Sequence, residues 1–315
     1  MSNYQQNELF PEISILICTY NRSALLKKAL MSFFDVKGAS IAEIIVIDNN
    51  STDDTKEVVR KCKEELEDVI KIDYILEKRQ GLSYARNTGI NHSKGEFIAF
   101  LDDDAVPCSD WLIALREGLR SSPQVSLVGG PIEPVFEVKR PEWLSKHLEP
   151  LYTILDLGDT VKLFPKKNIP MGANMAFKAS FLCKYKFPEH LGRKGNSLIS
   201  GEENWVINKL LGEGLEILYL PNMRIKHFVA KERLSVEWLL NRYYYEGKSR
   251  AYSSDSFLQI MQLFIITILK LCYLILSYQF VTTNSSKLLI SCRINIQLGV
   301  LTGFNDRKFM ISKSG

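Results

Sequence analysis

At 315 residues, with 46% apolar and 24% charged content, the chain is long enough for one large domain or one domain with appendages. Its formal net charge of +4 is mild, and no Lys/Arg stripe with interleaved aromatics marks a nucleic-acid track. The six cysteines (Cys18, Cys62, Cys108, Cys183, Cys272, Cys292) are scattered without C-x-x-C pairs or zinc spacing, as expected of reduced thiols in a reducing compartment. Met1 to Glu8 lacks the basic n-region and apolar core of a signal peptide, so the expected place of synthesis and residence is the cytoplasm.

Taken in chain order, the first 130 residues alternate strand and helix. Ile13 to Cys18 is an apolar strand, and Ser23 to Phe34 sets Leu25, Leu26, Ala29, Leu30 and Phe33 at helical spacing. Strands at Ile44–Ile47, Ile72–Leu76 and Phe97–Leu101 alternate with helices at Asp53–Glu67 and Leu82–Asn91. That order predicts an α/β fold with a mostly parallel sheet, right-handed crossovers and flanking helices. A helix over Trp111–Leu119 and a strand at Val125–Val128 follow. From Gly129 to about Pro170, prolines and charges interrupt every pattern, which predicts loop with a short helix near Trp143–Leu148. Met175–Phe177 and Ile217–Leu220 are further strands flanking a helix from Glu203 to Leu211.

The character changes after Arg250. Phe257 to Val281 carries a single charge, Lys270, and fits a transmembrane helix by length and hydropathy. Yet Gln259, Gln262, Thr267, Lys270 and Ser277 share one face, as in a helix lying in the membrane interface or packed on a domain. Leu288 to Phe304 is a second apolar stretch, interrupted by Arg293 and short for a span. Lys248, Arg250, Lys287 and Arg293 stand where they could meet anionic headgroups. Membrane contact is the favoured reading, lying or spanning; the alternative is a buried hydrophobic hairpin, or a dimer interface, in a soluble protein.

Three adjacent carboxylates, Asp102, Asp103 and Asp104, end the Phe97–Leu101 strand. Like charges there repel and lose hydration unless something positive sits among them. A hard divalent cation meets that need, and Mg²⁺ takes one or two carboxylates plus substrate phosphates. Ligands of open α/β sheets bind outside the carboxyl ends of the strands. Asp102 and Asp104 therefore read as a metal seat for a phosphorylated substrate, with an acidic turn or helix cap as the plain alternative. On the same edge stand Thr19-Tyr20-Asn21-Arg22 and Asp48-Asn49-Asn50-Ser51. Asp48 could accept from a base or ribose, Tyr20 offers a stacking face, and Arg86 in Ala85-Arg86-Asn87 could meet phosphates bidentately. Glu202 and Glu203, before a helix, are either capping acids or a general base.

These residues in this order resemble the family-2 glycosyltransferases, along with Gly172-Ala173-Asn174-Met175 and Gly201-Glu202-Glu203, over about four-fifths of the chain. The resemblance implies a GT-A, Rossmann-like fold, with 1–250 the glycosyltransferase domain (nucleotide-binding half about 10–130, acceptor half about 131–250) and 251–315 a hydrophobic, membrane-associated helical tail. It implies that Thr19, Tyr20, Asn21, Arg22, Asp48, Arg86 and Asp103 hold the nucleotide of a nucleotide-diphosphate-sugar donor, with Asp48 on the base. It implies Asp102 and Asp104 as ligands of Mg²⁺ or Mn²⁺, and Asn174 on the acceptor side. Glu203 stands where the family usually has the aspartate base, beside Glu202. His227, after a late strand, is read as a further metal ligand or a structural histidine. The implied reaction is inverting transfer to a glycan or lipid-linked acceptor at the cytoplasmic face of the membrane. The alternatives are a nucleotidyltransferase, which would carry a glycine-rich, lysine-containing first loop, and an inactive membrane-anchored scaffold, which would have no use for an intact acidic set.

Overall fold

The computed structural model describes residues 11–165, 168–254 and 256–311. Its first half runs β1 (Ile13–Thr19), α1 (Ser23–Met31), β2 (Ala42–Asp48), α2 (Thr55–Glu65), β3 (Lys71–Leu76), α3 (Leu82–His92) and β4 (Phe97–Leu101). Strands β1, β2 and β4 are apolar on both faces because both faces are covered. Alternate residues go to opposite layers: Ile13, Ile15, Ile17, Ile44 and Val46 enter one core, while Leu16, Ile45 and Ile47 enter the other. The parallel register aligns Thr19 with Asp48, so the loops after β1 and β2 leave the sheet side by side.

The chain continues through β5 (Ala105–Pro107), α4 (Trp111–Arg120), β6 (Val125–Gly129), β7 (Ile132–Phe136), β8 (Lys162–Leu163), β9 (Asn174–Lys178), α5 (Ala179–Lys184), α6 (Glu202–Gly212), β10 (Glu216–Tyr219) and β11 (Ile225–Val229). The main sheet has the order β3-β2-β1-β4-β9-β6-β10-β8. It is parallel from β3 to β4, and β9 then runs antiparallel to both β4 and β6. The stretch after Gly129 is less irregular than its composition predicts. β7 pairs in a second, three-stranded sheet, β5-β11-β7, whose short strands carry Pro107 and Pro134 and so lack a period-2 signature. The short helix expected near Trp143–Leu148 is a 3₁₀ turn at Lys146–Tyr152.

Three helices end the chain: α7 (Val236–Tyr252), α8 (Phe257–Phe280) and α9 (Asn284–Ile311). The α7 and α9 backbones touch. A Cβ at Gly247 would collide with the Ile296 carbonyl, and one at Gly299 with the Tyr244 carbonyl, so glycine at both positions permits the approach. Cys292 of α9 joins Leu144, Leu148, Tyr152, Val229 and Leu239 in a third hydrophobic cluster, so α9 is packed into the body. α8 differs. Leu258–Phe280 is long and apolar enough to cross a membrane, with mean hydropathy 2.1 and 11% of its most apolar window buried. It packs chiefly on α9, and among the described residues its buried positions are Thr267 and Leu274. The polar stripe therefore divides: Thr267 is buried, while Gln259, Gln262 and Lys270 are exposed.

Candidate active site

The site is built from strand ends and from the small sheet. The loops after β1 and β2 are laced together: the Asn21 N–H donates to Ser51 Oγ (2.9 Å), and Asn21 Oδ1 accepts from the Thr52 N–H (2.7 Å). Asn21 (φ 54°) and Asn50 (φ 66°) turn these loops through left-handed backbone, which asparagine tolerates better than most residues. Tyr20 is left exposed on the rim. Asp48 is buried, with Oδ1 accepting from the Ser51 N–H and Oδ2 from the Tyr74 hydroxyl at 2.7 Å. Burial together with that carboxylate pushes the Tyr74 phenol up, so it stays a donor. Asn49 clamps the rim: its Nδ2 donates to the Glu77 and Arg79 carbonyls, and its Oδ1 accepts from the Gly81 N–H.

The three aspartates divide by role. Asp103 accepts from Thr19 Oγ1 (2.8 Å) and Arg22 Nη1 (3.1 Å), which fixes the loop after β4 to the loop after β1. Burial raises its carboxyl to about 6 against the pull of Arg22. Asp104 leads into β5, and β5 pairs with β11 in a register that sets His227 opposite Ala105. The small sheet therefore carries His227 to the acidic loop, where its Nε2 lies 3.0 Å from Asp104 Oδ1 and 3.9 Å from Asp102 Oδ2. Asp104 Oδ1 and, on the other side of the ring, His227 Nδ1 are both buried without a hydrogen-bond partner. One ligand atom from each of Asp102, Asp104 and His227 lies within 4.8 Å of the other two. An octahedral cation with bonds of about 2.1 Å holds adjacent ligand atoms about 3 Å apart, so the orphaned Asp104 Oδ1 and the facing His227 Nε2 fit two neighbouring positions. Two carboxylates and one imidazole suit Mg²⁺ or Mn²⁺. Burial opposes ionisation of Asp104, but His227, Arg22 and Arg233 outweigh it and hold that carboxyl below the ordinary range.

A second group lies beside the first. Arg86 donates from Nη1 to Glu202 Oε1 (3.0 Å) and from Nη2 to Glu203 Oε1 (2.8 Å). Its guanidinium packs against the rings of Phe100 and Phe187, 5.5 and 5.1 Å from their centroids. Its charge also acts on Asp102, which makes the two groups neighbours. Any side chain at Gly172 would collide with Glu203 Oε1 and Arg86 Nη2, so the glycine leaves room for this pair. Burial and the adjacent Glu203 raise Glu202 to about 7, with Arg86 opposing. The Glu203 side chain is 26% exposed, whereas that of Glu202 is 4% exposed.

Two predicted site residues have partners within the protein. Arg86 is engaged by Glu202 and Glu203. Asn174 is taken up by the core. It is fully buried, accepting from Trp111 Nε1 (2.8 Å) and donating to the Pro131 and Met223 carbonyls, so it fastens α4, β9 and the approach to β11. Sequence reasoning also missed Arg193, Arg233 and Arg242. Arg233 Nη2 is 3.8 Å from Asp104 Oδ2, and the Arg193 charge acts on Asp102, Glu202, Arg233 and Arg242. No motif flagged them, since each comes from a separate loop or helix.

A mostly parallel sheet of this order, with an Asp-x-Asp turn at a strand end facing a histidine from a small second sheet, is the GT-A fold. The Glycosyl transferase family 2 model matches residues 14–185, more than half of the chain, and the chain belongs to that family of sugar transferases in glycan and polysaccharide biosynthesis. It is 24% identical over 252 residues to the glucosyl-dolichyl phosphate glucuronosyltransferase of Haloferax volcanii, covering 76% of each chain. It is 26% identical over 243 residues to the succinoglycan biosynthesis protein ExoM of Rhizobium meliloti, covering 75% of this chain and 73% of that one. Among solved structures it resembles the mannosyltransferase PcManGT from Pyrobaculum calidifontis in complex with GDP-Man and Mn²⁺, with TM-score 0.59 and 20% identity over 94% of this chain and 72% of that chain. That likeness shows the fold.

Proposed function

We propose that this chain is a metal-dependent, inverting glycosyltransferase that moves a sugar from a nucleotide-diphosphate donor to a hydroxyl of a lipid-linked or polysaccharide precursor at the cytoplasmic face of a membrane. The observation that carries the reading is the convergence of Asp102, Asp104 and His227 beside the Arg86–Glu202–Glu203 group. A Mg²⁺ or Mn²⁺ ion on the first three residues would supply positive charge to the diphosphate as it leaves. Tyr20 and Asp48 receive the base and nucleoside at the ends of β1 and β2. Arg22 braces Asp103 and Asp104 so that the loop keeps its shape. Glu203, the more exposed of the two glutamates, takes the acceptor proton while Arg86 fixes its carboxylate. The acceptor oxygen forms the new bond to the anomeric carbon, and the bond to the diphosphate breaks with its electrons on the diphosphate. One base and no partnered nucleophile agree with a single displacement and inversion.

The GDP-Man and Mn²⁺ of the mannosyltransferase complex and the dolichyl phosphate in the glucuronosyltransferase's name support the donor, metal and acceptor classes. Membrane association is supported by α8, whose Leu258, Leu269, Tyr273, Leu276 and Phe280 are all at least 60% exposed. Because α8 runs along α9, and α9 is packed into the body, α8 is read as lying in the interface. The test is thermal stabilisation by a panel of nucleotide-diphosphate sugars, with and without Mn²⁺. One sugar nucleotide that raises the melting temperature only with the metal is expected. Stabilisation by none, or equally without metal, counts against the reading.

A further inference from the structure

Arg242 on α7 is a cation without an adequate partner. Its side chain is 12% exposed, and its nearest carboxylate oxygen, Glu246 Oε2, is 3.8 Å away. Its Nη1 reaches only the Leu198 carbonyl at 3.5 Å and its Nη2 the Ser200 hydroxyl at 3.3 Å, while its Nε is buried with no partner. Burial pushes this guanidinium below its ordinary range; Glu246 opposes that push and the neighbouring Arg193 charge adds to it. Arg193 is exposed, and no carboxylate lies within ion-pair distance of it among the described residues. Arg193 follows Gly192, which lies against the Glu202 carboxyl, and Arg242 reaches Ser200 two residues before Glu202, so both arginines flank the start of α6 and call for an anion as the aspartate cluster calls for a cation.

Position selects the anion. Arg242 contacts Leu198 and Ser200 in the loop that leads directly into Glu202 and Glu203 at the start of α6, so its guanidinium lies on the side of the proposed base. The Ser200 N–H donates to Ser249 Oγ (2.9 Å), which ties the loop before α6 to α7. The far side of α7 packs on α9, which carries α8. The wall holding Arg242 therefore joins the proposed base to the apolar helices. We infer that Arg193 and Arg242, with the Ser200 hydroxyl, seat a phosphate carried by a lipid-borne acceptor, which thereby presents its hydroxyl to Glu203. The inference rests on the glycosyltransferase reading and narrows its acceptor to a phosphorylated lipid.

Flotation of the full-length protein with phosphatidylcholine vesicles tests this, comparing plain vesicles with vesicles doped with undecaprenyl phosphate or with phosphatidylglycerol. The wild type is expected to bind the undecaprenyl-phosphate vesicles at least about tenfold more tightly than either other kind. Arg242→Gln and the exposed Arg193→Gln should each remove most of that increment, and Arg242→Lys should restore part of it. Equal gains from phosphatidylglycerol would make this a general anionic-surface effect and overturn the proposal. Nucleotide affinity, measured on the same proteins by Mn²⁺-dependent stabilisation with UDP and GDP, separates the remaining outcomes. A parallel loss in Arg193→Gln and Arg242→Gln assigns the arginines to the donor and overturns the phosphate-acceptor seat. If neither nucleotide stabilises the wild type, the glycosyltransferase reading falls while the vesicle comparison still decides whether the seat exists.

Discussion

Asp102 and Asp104 are two positions apart and occupy different environments. The Asp102 side chain is 40% exposed with the His227 ring nitrogen 3.9 Å away, whereas that of Asp104 is 3% exposed between Arg22, Arg233 and His227. Asp102→Asn is therefore the clean probe of the metal seat: transfer should fall by on the order of 10³-fold with little change in melting temperature. Asp104→Asn should lose both activity and stability, because it leaves buried cations uncompensated. Calorimetry on the two variants checks this, and equal stability losses would contradict it. The glutamates differ in the same way. Glu203→Gln should cost transfer about 10²-fold or more at unchanged donor affinity. Glu202 holds its proton up to about pH 7 when folded and only up to its ordinary carboxyl range, near 4.5, when unfolded. Stability from this group is therefore full below that range, falls as pH rises to about 7, and is level above it. Urea denaturation should show that Glu202→Gln flattens the slope between about pH 5 and about pH 7; an unchanged slope would remove Glu202 as its source. The acids were legible because a charged run at the end of an apolar strand has few uses. The engagement of Arg86 and the burial of Asn174 were not, since a motif gives a residue's neighbourhood in sequence but not which neighbour claims it.

Elements repeat the lesson. The strands β1, β2 and β4 were readable because double-sided burial demands unbroken apolar runs. β5 and β7 were not, because strands of three and five residues interrupted by proline carry no periodic signal, and β11, five residues with a charge and a histidine, is too short to stand out, yet this sheet delivers His227 to Asp104. The α7 helix escaped notice because its run of tyrosines and charges alternates poorly at helical spacing. Close backbone approaches at glycines give tests at this scale. Gly172→Ala pushes a methyl into Glu203 and Arg86, and should lower turnover by on the order of 10²-fold while donor affinity holds. Normal turnover in Gly172→Ala would mean that the Arg86–Glu203 geometry is not needed. Gly299→Val forces α9 off α7 and should cost about 1–3 kcal/mol in denaturant unfolding. Of the four basic residues expected to face lipid, Lys248 pairs with Asp306 at 2.7 Å and Arg250 with Glu246 at 3.5 Å, which leaves Lys287 and Arg293 for headgroups.

At the scale of the molecule, a catalytic sheet edge and an apolar helix pair are joined through α7. Ile268 and Ile275 of α8 are 37% and 50% exposed. Replacing both with glutamate should release the full-length chain from membranes in flotation if α8 rests in the interface, and retention would show that it spans. Metal-dependent activation of a nucleotide sugar by Asp102, Asp104 and His227, as proposed, is tested by nucleotide-sugar hydrolysis, without acceptor, by wild type and Asp102→Asn across a Mn²⁺ titration. The wild type is expected to release nucleoside diphosphate from one sugar nucleotide with saturable dependence on Mn²⁺, and Asp102→Asn to release none at any Mn²⁺ concentration. Equal, metal-independent release by both proteins would contradict it.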